Sequence, residues 1–177
     1  MNDSAGVGEA AAPPSQRTLD SYTHAFPDAD AEALAAHLAV TSTGGLLTRG
    51  IEAAIRNLGF DLSRPRYTIV RSLYLSKQGG MAQSDLAQAL RVSGPNITQL
   101  IDGLVAEGWV ERSVSPADRR VVHARLTTEG NKRASRLVPA IVDFMQQSCS
   151  QLSADEQSEL RRLLDKVRFS VEDAAGA

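Results

Sequence analysis

The chain has 177 residues, a length that predicts about one domain. Hydrophobic residues make up 42% of it and charged residues 23%, which excludes a disordered or fibrous protein. Its N-terminal residues lack the pattern of a secretory signal, and no apolar run approaches the ~20 residues that a membrane span needs. Aromatics are only 5%, and the single cysteine, Cys149, has no internal partner for a disulfide. We therefore expect a cytoplasmic, mainly helical protein that does not associate with membranes.

The charges are distributed unevenly along the chain. Residues 1–63 carry 3 basic and 8 acidic side chains, residues 64–133 carry 11 and 6, and residues 134–177 carry 5 and 7. The net charges of the three blocks are therefore −5, +5 and −2. A basic middle between acidic ends is typical of a domain that contacts a polyanion, although solvated charges scattered by chance give the same excess.

The sequence of the N-terminal third predicts an extension followed by a long helix. Residues 1–16 have no periodic apolar face, and residues 17–26 predict a short helix. From Asp28 onward, apolar residues recur every three or four positions as far as Gly59, which is suited to end a helix. This spacing predicts one long amphipathic helix.

Three short helical segments follow. Ser63 can cap the first of them, and residues 82–90 predict the second. A tight turn then leads to Ser93, a good N-cap for a helix that stops at Gly108. Apolar residues at helical spacing mark the inner side of this third helix: Ile97, Leu100, Ile101 and Leu104.

The periodicity then changes from helical to alternating. Residues 109–114 and 121–126 predict two short strands joined by a turn with a basic tip. Another helix is expected from Thr128, and the pair Ser153 and Glu156 has the spacing of a capping box that opens a last helix.

The order short helix, tight turn, capped helix and hairpin predicts a winged helix-turn-helix. An α-helix fits the major groove of B-DNA, where each base pair presents a distinct pattern of donors and acceptors. In the capped helix, Asn96 and Gln99 can contact adenine, and Thr98 can contact a thymine methyl group. The alternative is that Asn96 only assists the cap and that the other two are solvent-facing.

The tip of the hairpin carries Asp118, Arg119 and Arg120. A guanidinium on a thin turn can enter the narrow, strongly negative minor groove, and Asp118 can hold a neighbouring arginine in place. Taken alone, a basic turn of this kind is more often simply solvated.

Several motifs of the chain resemble the MarR family of transcriptional regulators. They are LAQALRVS at residues 86–93, IDGLVAEGWV at 101–110, DRR at 118–120 and RLTTEG at 125–130, and the resemblance extends over roughly residues 30–170. It implies a homodimer that binds double-stranded DNA at a pseudo-palindromic operator, as a repressor. Carried over position by position, it also implies DNA contacts by the recognition helix and the wing: Ser93, Pro95, Asn96, Thr98, Gln99, Asp118, Arg119 and Arg120.

The resemblance also implies a division of the chain. Residues 1–28 are expected to be a partly disordered extension, and residues 63–127 the winged helix-turn-helix lobe. A helical dimerisation region is expected from residues 29–62 and 128–174. The fold class is therefore mainly α with a small β-hairpin wing.

A ligand site is predicted where the dimerisation region meets the lobe, because clefts at such junctions commonly bind small ligands. Arg71 and Tyr67 suit the carboxylate and the ring of a small aromatic or phenolic acid, as in similar regulators, and His37 and Thr41 are expected nearby. The alternative is that Tyr67 belongs to the core and that Arg71 is a surface ion-pair partner.

Other functions have weaker support in the sequence. Cys149 could make the protein a redox-sensing regulator, or the chain could be a helical dimer that binds protein and has lost DNA binding. The histidines His24, His37 and His123 lack metal-ligand spacing, so no metal and no cofactor are expected. No nucleophile with a base beside it is apparent, so we expect no enzyme activity.

Overall fold

The structure, a computed structural model, describes residues 14–77, 79–114 and 122–176. The chain divides into two compact units, residues 1–49 and residues 50–177. No helix in the described part of the chain is long and apolar enough to cross a membrane.

The first unit is built from two helices, α1 (Pro14–Ala25) and the larger part of α2 (Ala31–Asn57). Asp30 caps α2, since its Oδ1 accepts a hydrogen bond of 3.0 Å from the backbone N–H of Ala33. Among residues 16–49, whose exposure is described, none is buried. This unit therefore has no hydrophobic core of its own within that range.

The second unit contains the remaining elements, which follow the predicted order. They are α3 (Arg64–Leu75), β1 (Met81–Ala82), α4 (Gln83–Leu90), α5 (Gly94–Ala106), β2 (Val110–Val114), β3 (Val122–Leu126), α6 (Thr128–Ser148) and α7 (Ala154–Gly176). The fold is mainly α-helical with a small antiparallel sheet, which confirms the predicted class.

The sheet has three strands in the order β1-β3-β2, not the two strands that the sequence predicts. In the hairpin, Val110 lies opposite Leu126 and Val114 lies opposite Val122. On the other side of β3, Met81 lies opposite Ala124. The extra strand β1 attaches the start of α4 to the hairpin.

The core of this unit lies between the helices and the sheet. Helix α5 contributes Ile97, Ile101 and Leu104, each at most 2% exposed. They pack with the other buried apolar side chains of the unit: Ile55, Leu62, Tyr67, Ile69, Val70, Leu73, Leu86, Trp109, Val110, Ala124, Ala134, Leu137, Val138 and Ile141.

Two residues with positive φ lie in the turns on either side of α5. Arg91, with φ 53° and ψ 44°, ends α4 in the left-handed conformation and makes the tight turn of the helix-turn-helix. Gly108, with φ 73°, turns the chain from α5 into β2 without the steric cost that a Cβ would impose.

Helix α6 is held against the start of β2 by a side-chain cap. The Oγ1 of Thr127 accepts from the N–H of Gly130 at 2.8 Å and donates to the carbonyl of Gly108 at 2.7 Å. Gly130 lies so close to the carbonyl of Trp109 that a Cβ would overlap it. The glycine therefore permits the contact between α6 and β2.

Helix α7 begins at the predicted capping box. The N–H of Ser153 donates to Oε2 of Glu156 at 2.8 Å, and the N–H of Glu156 donates to Oγ of Ser153 at 3.3 Å. The first of these bonds favours the carboxylate form, and the pKa of Glu156 is accordingly lowered from its usual value, mainly by the backbone N–H of Ser153 and further by its side chain.

Candidate nucleic-acid interface

Helix α5 has an apolar inner face and a polar outer edge. Its inner face is buried in the core, as described above, whereas every residue predicted to contact DNA from this helix is exposed. Those residues are Ser93, Pro95, Asn96, Thr98 and Gln99. The structure therefore brings all five to the exposed side of the N-terminal half of one helix.

The N-terminal turn of α5 has polar groups that remain available to a ligand. Ser93 occupies the predicted N-cap position with extended backbone (φ −69°, ψ 158°), but its side chain makes no capping hydrogen bond with the described residues of α5. Thr98 is different, since its hydroxyl donates to the carbonyl of Gly94 at 2.9 Å. Thr98 therefore has its methyl group, rather than its hydroxyl, to offer to a base edge.

The charge of α5 is neutralised within the lobe. Asp102 is the one charged residue among its 13, and its Oδ1 pairs with Nη1 of Arg112 from β2. Nη2 of Arg112 also donates to the carbonyl of Thr98 at 3.1 Å. The outer edge of the helix therefore presents neutral hydrogen-bonding groups rather than net charge.

Sequence reasoning did not single out Arg112. The available signal was an arginine on the first predicted strand, ten positions after an acidic residue on the outer side of the preceding helix. Nothing in the periodicity indicates that the two side chains meet, because that depends on how β2 packs against α5.

A second arginine fixes the opposite end of α5. Arg66 of α3 pairs with Glu107, the C-cap residue, at 2.5 Å between Nη1 and Oε1. The guanidinium lies directly over Gly103, where a Cβ would overlap it. Helix α3 therefore reaches the recognition helix at close range.

The wing is formed by β2 and β3. A cross-strand ion pair joins Arg125 to Glu111 at 2.9 Å, between residues that lie opposite each other in the hairpin. The predicted wing contacts Asp118, Arg119 and Arg120 lie outside the described residues, and their assignment stays a prediction.

These elements together define a winged helix-turn-helix lobe: α4 and α5 form the helix-turn-helix, and the β2–β3 hairpin follows it. Residues 62–122, which cover this lobe up to the start of β3, match the MarR family. The chain carries a MarR-family domain, and the resemblance seen in its motifs is confirmed.

Comparison with individual proteins agrees. The chain is 34% identical over 84 residues to the transcriptional repressor MprA of Escherichia coli (strain K12). The matched residues make up 48% of this chain and 48% of MprA, so the chain spans about half the length of that relative. It is 27% identical over 152 residues to the HTH-type transcriptional regulator PecS of Dickeya dadantii, covering 84% of this chain and 89% of PecS. The crystal structure of an S. aureus MepR–DNA complex is similar with a TM-score of 0.67 and 25% identity, covering 74% of this chain and 94% of MepR.

The predicted ligand residues fall in different parts of the chain. Tyr67 and Arg71 lie on α3, on the walls of two open clefts of the second unit. The larger cleft, of about 750 Å³, is also lined by Lys77 and His123. His37 and Thr41 lie on α2 in the first unit, where both are exposed and the hydroxyl of Thr41 donates to the carbonyl of His37 at 3.0 Å.

Tyr67 itself belongs to the core, with 3% of its surface exposed. Its hydroxyl is buried and has no hydrogen-bond partner among the described residues. Burial raises the pKa of this phenol above its usual value, and the positive charge of Arg71 opposes that shift to a smaller extent. The ring therefore has little surface left for stacking on a ligand, although the hydroxyl lacks a partner.

Cys149 occupies the C-cap position of α6, where it is half-buried. Its Sγ lies 3.9 Å from Oγ of Ser148. Within the described ranges, no group of three or more histidine, cysteine, aspartate or glutamate side chains is placed to hold a metal ion.

Proposed function

We propose that this protein is a sequence-specific regulator of transcription that binds double-stranded DNA in the cytoplasm as a homodimer. One observation carries the proposal: the exposed edge of α5 presents Asn96, Thr98 and Gln99, while the opposite face of the same helix is buried in the lobe. In a winged helix-turn-helix this edge is the part of the recognition helix that enters the major groove.

The proposed contacts divide into two kinds. The amides of Asn96 and Gln99 recognise base edges, and the methyl group of Thr98 packs against a thymine. The first turn of α5 and the predicted wing-tip residues Asp118, Arg119 and Arg120 contact phosphate and the minor groove. Because α5 itself presents no net charge, most of the salt dependence of binding comes from residues outside it.

The proposed homodimer has support in the apolar surfaces that the single chain leaves exposed. Helix α7 carries a stripe of Leu160, Leu163, Leu164 and Val167, each between 41% and 46% exposed. Such a stripe at helical spacing is stable in water only when another surface covers it. A dimer that uses it would place two lobes on the two halves of a pseudo-palindromic operator.

We infer repression as the regulatory effect. The matched relative from Escherichia coli is named a transcriptional repressor. A dimer seated on a promoter excludes other proteins from the same DNA, which is the simplest consequence of specific binding.

The experiment is a gel shift with the DNA upstream of the protein's own gene, repeated over a salt series, with a scrambled duplex of equal length as control. We expect tighter binding to the upstream DNA and a steep fall of affinity with salt, since released counterions mark phosphate contacts. No salt-dependent binding to either duplex would overturn the proposal.

We further propose that a small aromatic or phenolic acid weakens DNA binding. Arg71 supports this, because it lines both clefts of the second unit and can hold a carboxylate. A coupling of ~1–3 kcal/mol would lower operator affinity ~5–150-fold.

The test titrates salicylate against the protein–DNA complex, with Arg71→Ala as the comparison. We expect the wild type to release DNA at a lower salicylate concentration than the variant. Equal release by both proteins would remove Arg71 from the ligand site.

A further inference from the structure

We propose that Arg112 is a positioning residue that locks the recognition helix to the wing and so sets the sequence specificity of the lobe. The inference rests on the proposed DNA-binding function. It concerns a residue on β2, outside the helix whose side chains contact the bases.

The geometry is a two-point clamp on one turn of α5. The Nη1 of Arg112 pairs with the carboxylate of Asp102, and its Nη2 donates to the carbonyl of Thr98 at 3.1 Å. Thr98 and Asp102 are four residues apart, so they follow each other along one side of the helix. A planar guanidinium with donors in a fixed fork suits this arrangement, whereas an ammonium group does not.

The clamp holds the same turn that carries the proposed base contacts. Thr98 is itself one of them, and Gln99 is its neighbour in sequence. The inner face of α5 is held by apolar packing, which is non-directional and permits small rotations and tilts of the helix. Directional bonds from Arg112 on the outer side remove that freedom.

The clamp also joins two elements that contact DNA in different grooves. Arg112 lies at the middle of β2, opposite Ala124 of β3, so it is fixed within the hairpin. A rigid connection lets the recognition helix and the wing engage the operator as one body. The affinity gained from this preorganisation is realised only when the recognition helix and the wing both contact the DNA, as they do on the operator sequence.

The charge and the exposure of Arg112 differ from those of an arginine that binds phosphate. Its charge is already matched by Asp102, and its side chain is only 30% exposed. A phosphate contact would have to compete with a carboxylate that repels the DNA backbone.

The experiment compares Arg112→Lys and Asp102→Asn with the wild type, and uses Arg125→Lys as the matched control. Arg125 forms an ion pair with Glu111 on the facing strand, so its charge is matched within the hairpin itself. For each protein, affinity is measured for the selected operator and for a scrambled duplex over a salt series. Thermal unfolding confirms that each variant folds.

We expect Arg112→Lys to reduce the ratio of operator affinity to scrambled-duplex affinity by about 3- to 10-fold, although the positive charge is kept. Asp102→Asn should reduce the same ratio, although it removes a negative charge next to DNA. Arg125→Lys should leave the ratio within about twofold of wild type. A general loss of folded protein lowers both affinities equally and does not change the ratio.

Two results would overturn the inference while leaving DNA binding established. One is an unchanged ratio for Arg112→Lys, which a simple charge contact with phosphate predicts. The other is tighter binding of Asp102→Asn to both duplexes with an unchanged ratio, which shows that Asp102 acts only through its charge. If the wild type itself shows no salt-dependent binding, the proposed function fails and the inference fails with it.

Discussion

Gln99 lies on an exposed helix edge whose only charge is neutralised by Arg112. Its amide can therefore contribute specificity without contributing to the salt dependence of binding. We expect Gln99→Ala to relax the preference at one base pair in each half-site, with a loss of about 1–3 kcal/mol of discrimination and an unchanged salt slope. Binding to a set of operators with single base changes measures this. Gln146→Ala, an exposed glutamine on α6, is the control, and a specificity profile identical to wild type would show that Gln99 contacts no base.

Tyr67 shows how a single buried atom changes stability. Its hydroxyl is buried without a partner among the described residues, and an unsatisfied polar group of this kind destabilises the folded state. We expect Tyr67→Phe to raise the free energy of unfolding at neutral pH by about 1 kcal/mol. Urea unfolding measures the change, with Tyr74→Phe on the same helix as the control. A loss of stability in Tyr67→Phe would mean that the hydroxyl makes a stabilising bond.

The same residue predicts a dependence on alkaline pH. Burial raises the pKa of Tyr67 in the folded state, so above pH ~10 the unfolded chain loses this proton first. The unfolded state then binds fewer protons than the folded state, and stability falls as the pH rises. Because phenylalanine has no such proton, the advantage of Tyr67→Phe over wild type should grow between pH 9 and pH 11. An advantage that stays constant over this range would contradict the assignment.

The elements that sequence reasoning located correctly are those whose signals are local. The apolar spacing of Ile97, Ile101 and Leu104 predicted α5 and its buried face, and Ser153 with Glu156 predicted the start of α7 through two hydrogen bonds within one turn. Each of these signals depends on residues no more than seven positions apart.

The features that it missed depend on contacts between elements. Strand β1 has two residues, too few to show a periodicity, and it exists only because Met81 pairs with Ala124. The contact between Arg112 and Asp102 likewise requires β2 to lie against α5. Of the predicted site, the exposed edge of α5 followed from the sequence, whereas the residue that clamps it did not.

Gly130 allows α6 to approach the start of β2. A Cβ there would overlap the backbone carbonyl of Trp109, which cannot move freely because it accepts a hydrogen bond of 3.0 Å from Thr127. We expect Gly130→Ala to destabilise the lobe by about 1–3 kcal/mol, the usual effect of overpacking. Denaturant unfolding measures the loss. Gly94→Ala is the matched control, because a Cβ at this helical position meets open space, and equal stability of the two variants would contradict the role given to Gly130.

Much of the positive charge in the middle of the chain is engaged in ion pairs. Five arginines of residues 64–133 pair with carboxylates in the described structure: Arg66, Arg91, Arg112, Arg125 and Arg133. Four of these carboxylates lie in the same block, so their pairs leave its net charge unchanged, whereas the pair of Arg91 with Glu172, outside the block, offsets one positive charge. Most of the excess therefore remains available to attract DNA at long range, while the paired arginines organise the lobe.

The two chain ends share a property that the lobe does not have. Residues 16–49 contain no buried side chain, and the described side chains of α7 are all at least partly exposed. In contrast, the lobe shares one continuous core with the end of α2 and with α6. Segments that expose this much apolar surface gain stability from a partner surface, and the proposed second copy of the chain provides one.

Leu164 tests this arrangement, since it lies in the exposed stripe of α7. Leu164→Asp would place an unpaired charge between the two chains, and the burial of such a charge is strongly unfavourable. We expect unfolding or aggregation rather than a stable monomer, because obligate dimers often have no stable folded monomer. Light scattering after size-exclusion chromatography, together with thermal unfolding, measures the outcome. Ser158→Asp adds the same charge at an exposed polar position in the second turn of α7 and should remain dimeric. A well-folded Leu164→Asp monomer that still binds the full operator tightly would exclude a dimer built on this stripe.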